Sequence, residues 1–346
     1  MRARLAVALL VALSAAPGCQ PGERAPSREG RAKPITVAVS PYFSNAPLFI
    51  AQEEGFFSEE GLAVTLQPPP VNTTSEVVPA LAQGRIDAIA GGLTIGMLNA
   101  ISLGAPIRFV ADKGHYAAGA CTSAAMVAGR RLLGRGEVSS PADLKGRRLG
   151  GSNSSVSQYF VDALLDSLNL RPEDVTRSAL PPAATLDALE NGAVDFVLAL
   201  EPWLTHLRQA GHAVIVPYER VIPDFQFAII AFGPTLLERD RDAGSRFVRA
   251  YLRGVRQYNQ GKTARNVEIL ARATKMDRAT LESLCWPSIR DDGAIAVESV
   301  LHLEEWARRK GLMDRALAES AFWDGSFVAA MAAGGSGAAH AAGSDP

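Results

Sequence analysis

The sequence contains few of the residues that build metal and redox centres. Its 346 residues include three cysteines and five histidines, and the histidines are scattered without metal-ligand spacing. It also lacks a GxSxG nucleophile elbow and a phosphate-binding loop of the form GxxxxGKS or GxxxxGKT. We therefore expect no catalytic centre of these kinds, no metal and no cofactor.

An excess of positive charge is missing as well. The formal net charge is −1, and charged residues make up 21% of the chain against 47% hydrophobic residues. Dense basic clusters occur only in GRRLLGRG (129–136) and KGRR (145–148), which we interpret as solvated surface. Without a basic field, nucleic acid is not an expected partner.

Long apolar runs are confined to the N-terminus. Arg2 and Arg4 precede LAVALLVAL (5–13) and then SAAPGC, which is the order of a secretory signal. The run is too short to span a bilayer, and no later stretch reaches about 18 uninterrupted apolar residues. The sequence therefore predicts a signal peptide over residues 1–18 and an exported, soluble mature protein.

A second processing signal overlaps the end of this segment. APGC (16–19) resembles a bacterial lipobox, although Ala16 and Pro17 depart from its usual residues. We predict lipidation of Cys19 and a membrane-anchored lipoprotein in the periplasm, with cleavage by the ordinary signal peptidase as the alternative. The polar, Pro- and Gly-rich residues 19–33 are predicted to be a flexible tether.

The two remaining cysteines leave two interpretations open. In an oxidising compartment Cys121 and Cys285 either form a disulfide or stay as two buried, unpaired thiols, and we favour the unpaired state. At the other end of the chain, residues 329–346 are of low complexity and are predicted to be a disordered tail.

Strand and helix patterns alternate along the first part of the chain. ITVAVS (35–40), LAVTLQ (62–67) and IDAIAGG (86–92) have strand character, whereas APLFIAQEEGFF (46–57) and SEVVPALAQG (75–84) have helical character. This alternation predicts an α/β fold with a largely parallel sheet.

The same pattern then recurs about 110 residues later. PALAQGRIDAIA (79–90) and LDALENGAVDFVLA (186–199) share the frame A-L-x-x-G-x-I/V-D, with Gly84 and Gly192 where a helix would end. VAVSPYFSNAPLF (37–49) and RRLGGSNSSVSQYF (147–160) match in the same order. The repeat predicts two similar α/β lobes.

The segments between and after the repeats complete this outline. The chain is expected to cross between the lobes at about 115–130 and again at 222–233, where FQFAIIAFG (225–233) is a buried strand. Residues 243–258 and 294–311 have helical periodicity and are expected to pack on the first lobe.

Five stretches in order resemble a known family. PLFIAQEEGFFSEEGLAV (47–64), ALAQGRIDA (80–88), PIRFVA (106–111), SPADLKGRRLGGS (140–152) and ALENGAVD (188–195) are similar to ABC-transporter substrate-binding proteins of the nitrate, sulfonate, taurine and thiamine-precursor (pyrimidine) group. The resemblance covers about residues 35–325.

The resemblance implies a bilobal type II periplasmic binding protein fold. Lobe one would comprise residues 34–120 and 231–328, and lobe two residues 121–230, joined by a hinge. The implied function is hinge-closing capture of a small organic ligand and its delivery, as a monomer, to an ABC permease in the cytoplasmic membrane. An accessory protein that senses ligand is one alternative. A thiamine-pyrimidine synthase-like enzyme is another, although the Cys-rich motif of those enzymes is missing.

Ligands of open α/β sheets bind beyond the carboxyl ends of the strands, so the repeat selects four loops. The loop after the first strand holds residues 40–45, and its counterpart in lobe two holds residues 152–155. The predicted ligand-binding residues are Ser40, Tyr42, Phe43, Asn45, Gly92, Thr94, Ser152, Ser154, Ser155, Gln158, Glu201 and Trp203.

Each type of side chain in these loops suggests a role. Serines beside a helix N-terminus add donors to unpaired N–H groups and favour an anionic or strongly polar group, or else they only cap the helix. The aromatic residues stack on a ring or belong to the core. Glu201 binds an amino or amidine-like group, or pairs with an arginine. The serines favour a sulfonate as the ligand, whereas Glu201 with Trp203 favours a nitrogen heterocycle. We favour an aromatic or heterocyclic ligand, and a lipid is a further alternative. Asn153 is assigned to turn chemistry or solvent.

Overall fold

The computed structural model describes residues 32–39, 43–68 and 74–329. Its strands are β1 Lys33–Val39, β2 Leu62–Gln67, β3 Ala88–Gly92, β4 Arg108–His115, β5 Ala124–Ala128, β6 Arg148–Gly151, β7 Thr176–Ala179, β8 Phe196–Leu200, β9 Ala213–Pro217 and β10 Gln226–Phe232. Its helices are α1 Ala46–Glu53, α2 Phe56–Glu59, α3 Thr74–Ala82, α4 Ile95–Ser102, α5 Arg130–Gly134, α6 Ser155–Ser167, α7 Thr185–Glu190, α8 Trp203–Gln209, α9 Arg241–Tyr258, α10 Ala264–Thr274, α11 Arg278–Ser283, α12 Val297–Arg309 and α13 Glu319–Phe322.

The strands form two five-stranded sheets with one topology. The first sheet has the order β2-β1-β3-β10-β4 and the second β7-β6-β8-β5-β9. In each sheet the first three strands are parallel, and the fourth pairs antiparallel with both neighbours. The predicted α/β fold of two similar lobes is therefore confirmed.

The repeated sequence frame has the same structural task in both lobes. The carboxylate of Asp87 accepts a hydrogen bond from the backbone N–H of Thr36 in β1 at 2.8 Å, and that of Asp195 accepts one from Arg148 N in β6 at 2.9 Å. Gly84 and Gly192 have φ of 67° and 72°. That left-handed conformation favours glycine at a helix end. The frame thus ends a helix and ties the next strand to its neighbour.

Strand β10 refines the predicted division of the chain. It pairs with β3 over residues 228–232 and with β4 between residues 226 and 232, and so belongs to the first sheet. The predicted boundary at residue 230 falls inside this strand, which returns the chain to lobe one by residue 226. The stretch 46–57, predicted as one helix, forms α1 and α2.

Some predictions concern residues outside this description. The signal peptide, Cys19 and residues 19–31 of the tether lie outside the described residues, as do residues 330–346 of the tail. Within the described part of the chain, no helix is long and apolar enough to cross a membrane.

Of the helices after β10, α12 contacts both lobes. Helix α9 packs on α1 and α2 of the first lobe, as predicted, whereas α12 contacts α4 and β10 and also α6 of the second lobe. At that contact Trp306 Nε1 donates to Asp162 Oδ2 at 3.0 Å, and Lys310 Nζ lies 2.7 Å from the same oxygen.

A disulfide makes a second connection. Cys121 and Cys285 are bonded, with their Cα atoms 5.6 Å apart. The expectation of two unpaired thiols was wrong, because the fold brings residues 164 positions apart in sequence next to each other. Cys121 precedes β5 of the second lobe, and Cys285 follows α11, so the bond links the lobes covalently.

Candidate ligand-binding cleft

A cavity of about 510 Å³ lies where the carboxyl ends of the two sheets face each other. From the first lobe and the segments that leave it, the wall contains Phe43, Ser44, Thr74, Gly92, Leu93, Thr94, Tyr116, Phe227, Ala228 and Pro287. From the second lobe it contains Ser123, Ala124, Ser152, Asn153, Ser154, Ser155, Val156, Ser157, Pro182, Leu200, Glu201 and Tyr218. Both predicted first-strand loops reach this one cavity.

Two helix N-termini meet at the cavity wall. The backbone N–H of Ile95, the first residue of α4, donates to Ser155 Oγ, at the first residue of α6, at 3.1 Å. The caps of the two helices correspond: Thr94 Oγ1 accepts from Met97 N at 3.2 Å, and Ser154 Oγ accepts from Ser157 N at 3.2 Å. Each helix end contributes N–H donors and partial positive charge.

The serines of GSNSSVSQYF have different roles. Ser152 Oγ accepts from the N–H of Ser154 at 3.1 Å and so shapes the turn, while Ser154 caps α6. Ser155 reaches the other lobe. The Ser154 hydroxyl donates its proton to Ser157 Oγ at 3.0 Å. Ser152 and Ser155 act as acceptors in these contacts, and because a hydroxyl both donates and accepts, each can donate its proton towards the cavity.

Aromatic rings form the apolar part of the wall. Tyr116 stacks on Phe227 with centroids 4.6 Å apart and meets Tyr218 edge-on at 5.3 Å, and Tyr218 stacks on Phe160 at 3.7 Å. Burial raises the pKa of both tyrosines well above the ordinary value, so both keep their hydroxyl protons at neutral pH. This wall combines flat apolar surface with neutral donors.

The first-strand loop of lobe one is supported from behind. The ring of Phe43 packs on Trp286 with centroids 5.4 Å apart. Next to it, Lys113 Nζ of β4 donates to Ser44 Oγ at 2.7 Å, and both residues are buried. Ser44 itself lines the cavity, so the buried amine lies one hydroxyl away from it.

Glu201 lines the cavity but is committed to protein partners. Its Oε2 accepts from Thr205 N at 3.0 Å, and its Oε1 accepts from Thr205 Oγ1 at 2.9 Å and from Cys285 N at 3.1 Å. Among the described residues it has no arginine partner. The carboxylate therefore caps the start of α8 and ties the second lobe to the Cys285 segment.

The predicted residues divide into three groups. Seven line the cavity: Phe43, Gly92, Thr94, Ser152, Ser154, Ser155 and Glu201. Ser40 and Tyr42 lie outside the described residues. Asn45, Gln158 and Trp203 do not lie in the cavity wall: Asn45 is buried just before α1, Gln158 Nε2 donates to Asn153 O at 2.8 Å, and Trp203 begins α8.

Several wall residues were not among those predicted. Tyr116 and Phe227 lie in the segments that were predicted to cross between the lobes. These crossing segments form the hinge, and the hinge borders the cleft. Asn153, assigned to turn chemistry or solvent, is also part of the wall. Thr74, Ser123 and Tyr218 carried no signal in the sequence. Among the described residues, no group of three or more His, Cys, Asp or Glu side chains could hold a metal ion.

Twin α/β lobes with a cleft between matching loops define the type II periplasmic binding protein fold. The NMT1/THI5-like family model matches residues 42–260, and the chain belongs to this family. This finding confirms the resemblance drawn from the sequence. None of the curated proteins compared with the chain matches its sequence.

Solved structures with this fold include binding proteins and an enzyme. The ligand-binding component of an ABC-type import system from Staphylococcus aureus, with zinc bound, has a TM-score of 0.68 at 18% identity over 86% of this chain and 98% of its own. The alkanesulfonate-binding protein SsuA from Xanthomonas axonopodis pv. citri, bound to MOPS, has a TM-score of 0.65 at 16% identity over 85% and 99%. A mutant of DSZB in complex with biphenyl-2-sulfinic acid has a TM-score of 0.64 at 15% identity over 87% and 99%.

Proposed function

We propose that this chain is the extracytoplasmic solute-binding protein of an ABC importer. It captures a small organic ligand between its lobes, closes about the hinge and presents the ligand to a membrane permease. The family and the fold support this function. The solved binding proteins, at 18% and 16% identity, support the fold.

One contact carries the proposal. The hydrogen bond from Ile95 N to Ser155 Oγ joins the N-terminus of α4 in one lobe to that of α6 in the other, beside the cavity. A ligand held at this point touches both lobes at once, so its binding free energy favours the closed arrangement. Closure of two domains around a ligand by a few hinge residues is a recurrent device of binding proteins.

The wall chemistry narrows the class of ligand. The rings of Tyr116, Tyr218 and Phe227 suit a flat or apolar part of the ligand, and the loop 152–155 suits a polar group at its end. Because Glu201 already accepts three hydrogen bonds from protein groups, it gives less support to an amino or amidine-like group than the sequence suggested. A small aromatic, heterocyclic or sulfonate-like molecule fits this cleft best.

The export and anchoring of the protein belong to the same proposal. The predicted signal peptide and the lipidation of Cys19 would hold the binding protein on the outer side of the membrane that carries its permease. Palmitate labelling in cells should mark the native protein and not Cys19→Ser, whose ligand affinity should be unchanged. A labelled Cys19→Ser protein would contradict lipidation at Cys19.

An enzyme with this fold needs reactive groups at the cleft. Cys121 and Cys285 are bonded to each other, so neither supplies a free thiol among the described residues.

A ligand-sensing accessory role would use the same cleft, and a direct assay separates it from transport. In proteoliposomes that contain the permease, uptake of the ligand should require this protein.

Ligand binding is tested by thermal shift with sulfonates, pyrimidines and lipids, because a ligand that binds only the folded state raises Tm. With the best ligand, Ser152→Ala combined with Ser155→Ala should weaken calorimetric affinity by about 1–3 kcal/mol. Ser167→Ala, at the other end of α6, is the matched control and should leave the affinity unchanged. Unaltered affinity in the double variant would refute the proposed site.

A further inference from the structure

Lys113 is a buried amine whose placement the function described above does not use. It lies in β4 with none of its surface exposed, and its Nζ donates to Ser44 Oγ at 2.7 Å. No carboxylate of the described residues lies within 4.0 Å of Nζ. The sequence of the undescribed segments 40–42 and 69–73 contains no acidic residue.

The charged groups around Lys113 have other hydrogen-bond and ion-pair partners. Asp112, the neighbour in β4, accepts hydrogen bonds from Gly114 N, Gln226 Nε2, Arg290 N and His115 Nδ1, at 2.6–3.0 Å. The guanidinium of Arg290 pairs with Asp224 at 2.6 Å. From α9, the hydroxyl of Tyr251 donates to the backbone oxygen of Asp112 at 2.7 Å. These contacts leave Lys113 without a dedicated counter-ion in the described structure.

A buried ammonium without a counter-ion is costly, so such an amine loses its proton or acquires an anion. Burial lowers the pKa of Lys113 to about 7, and the charge of Asp112 opposes part of that effect. The amine is therefore poised to change its charge near neutral pH. Ser44, between Nζ and the cavity, can accept from the amine and donate its own proton to a ligand.

We propose that the Ser44 end of the cavity receives an anionic group of the ligand, and that Lys113 holds a proton while that group is bound, taking it up from solvent where the free amine is neutral. This inference rests on the proposed ligand-binding function and specifies its chemistry. The lone pair of Nζ accepts the proton, the ligand keeps its negative charge, and the new ammonium is the counter-ion. No other bond changes. Capture is thereby coupled to protonation.

The test compares two probes of similar shape and different charge. Benzenesulfonate and the uncharged methyl phenyl sulfone are titrated calorimetrically into the full chain at pH 6 and pH 9. Because pH 9 lies two units above a pKa of about 7, affinity for benzenesulfonate should fall by up to about 100-fold between the two conditions. Affinity for the sulfone should stay the same.

Variants of Lys113 and Ser44 test whether this pair causes the pH dependence, with a variant of Lys145 as the control. Lys113→Met, of similar length and uncharged, should abolish the pH dependence, whereas Lys145→Met, a surface change, should retain it. Ser44→Ala should weaken binding of benzenesulfonate at pH 6 by a larger factor than binding of the sulfone. A pH dependence that persists in Lys113→Met would overturn the proposal, as would equal affinity for benzenesulfonate at both pH values.

The outcomes also separate this inference from the function on which it rests. If sulfone or any screened ligand binds while benzenesulfonate does not bind at either pH, the anion site fails and the binding function stands. If the sulfonates, pyrimidines and lipids of the screen and both probes all fail to bind, the ligand-binding function itself fails.

Discussion

The two lobes share one backbone plan and differ in the chemistry of their corresponding loops. After β1, the loop residues Phe43 and Ser44 are buried and rest on Trp286 and Lys113. After β6, the loop Ser152–Ser155 is made of small polar residues that hydrogen-bond among themselves and with the other lobe. The repeated fold therefore supplies two facing loops. The loop of lobe one carries an aromatic ring and rests on the buried amine of Lys113 in β4, whereas the loop of lobe two carries hydroxyls.

The largest expected effect tests the buried amine of the first lobe. Folded Lys113 loses its proton near pH 7, whereas in the unfolded chain its pKa is the ordinary 10.5, so the unfolded state binds more protons between these values. The free energy of unfolding of the native protein should then rise by about 1.4 kcal/mol per pH unit relative to Lys113→Met. This contribution is complete above pH 10.5 and is lost as the pH falls towards 7.

Urea denaturation at pH 7, 8 and 9 measures this difference, and subtraction of the variant removes the contribution of other groups. Lys145→Met serves as the control and should follow the native protein. Parallel stability curves for Lys113→Met and the native protein would show that Lys113 stays charged in the fold.

The next effect concerns the covalent link between the lobes. Cys121→Ser combined with Cys285→Ser removes the disulfide, which closes a large loop in the unfolded chain. The free energy of unfolding should fall by about 2–4 kcal/mol. Denaturant unfolding with and without reductant checks this, because reductant should lower the stability of the native protein to that of the double variant and leave the latter unchanged. Insensitivity of the native protein to reductant would contradict a structural disulfide.

The smallest effects distinguish adjacent serines of the second lobe. Ser154→Ala removes the N-cap of α6 and should cost about 1 kcal/mol of stability. Ser155→Ala removes a contact between lobes and should weaken ligand affinity more than it lowers stability. Denaturation and calorimetry on both variants give the two quantities. If both serines affect stability and affinity equally, the division of tasks is wrong.

The fold could be predicted from the sequence because its repeat records backbone requirements. Asp87 and Asp195 each accept a hydrogen bond from a strand N–H, and Gly84 and Gly192 each end a helix. The same residue types therefore recur where the same backbone geometry recurs. The loops of the cleft followed from the carboxyl ends of the strands. Both inferences depend on local sequence.

The side chains of the cleft were harder to predict, because their direction depends on tertiary contacts. Glu201 and Trp203 are neighbours in one loop, yet Glu201 lines the cavity and Trp203 does not. The disulfide and the Lys113–Ser44 pair join residues 164 and 69 positions apart, and no local pattern marks such contacts.

Small-angle scattering on the full chain, free and saturated with a ligand whose binding calorimetry has established, tests the central claim most directly. The claim is that the lobes close on a solute held between α4 and α6. We predict that the radius of gyration decreases on binding and that the liganded curve fits the arrangement with Ile95 N on Ser155 Oγ. An unchanged radius of gyration at saturation would contradict capture by closure.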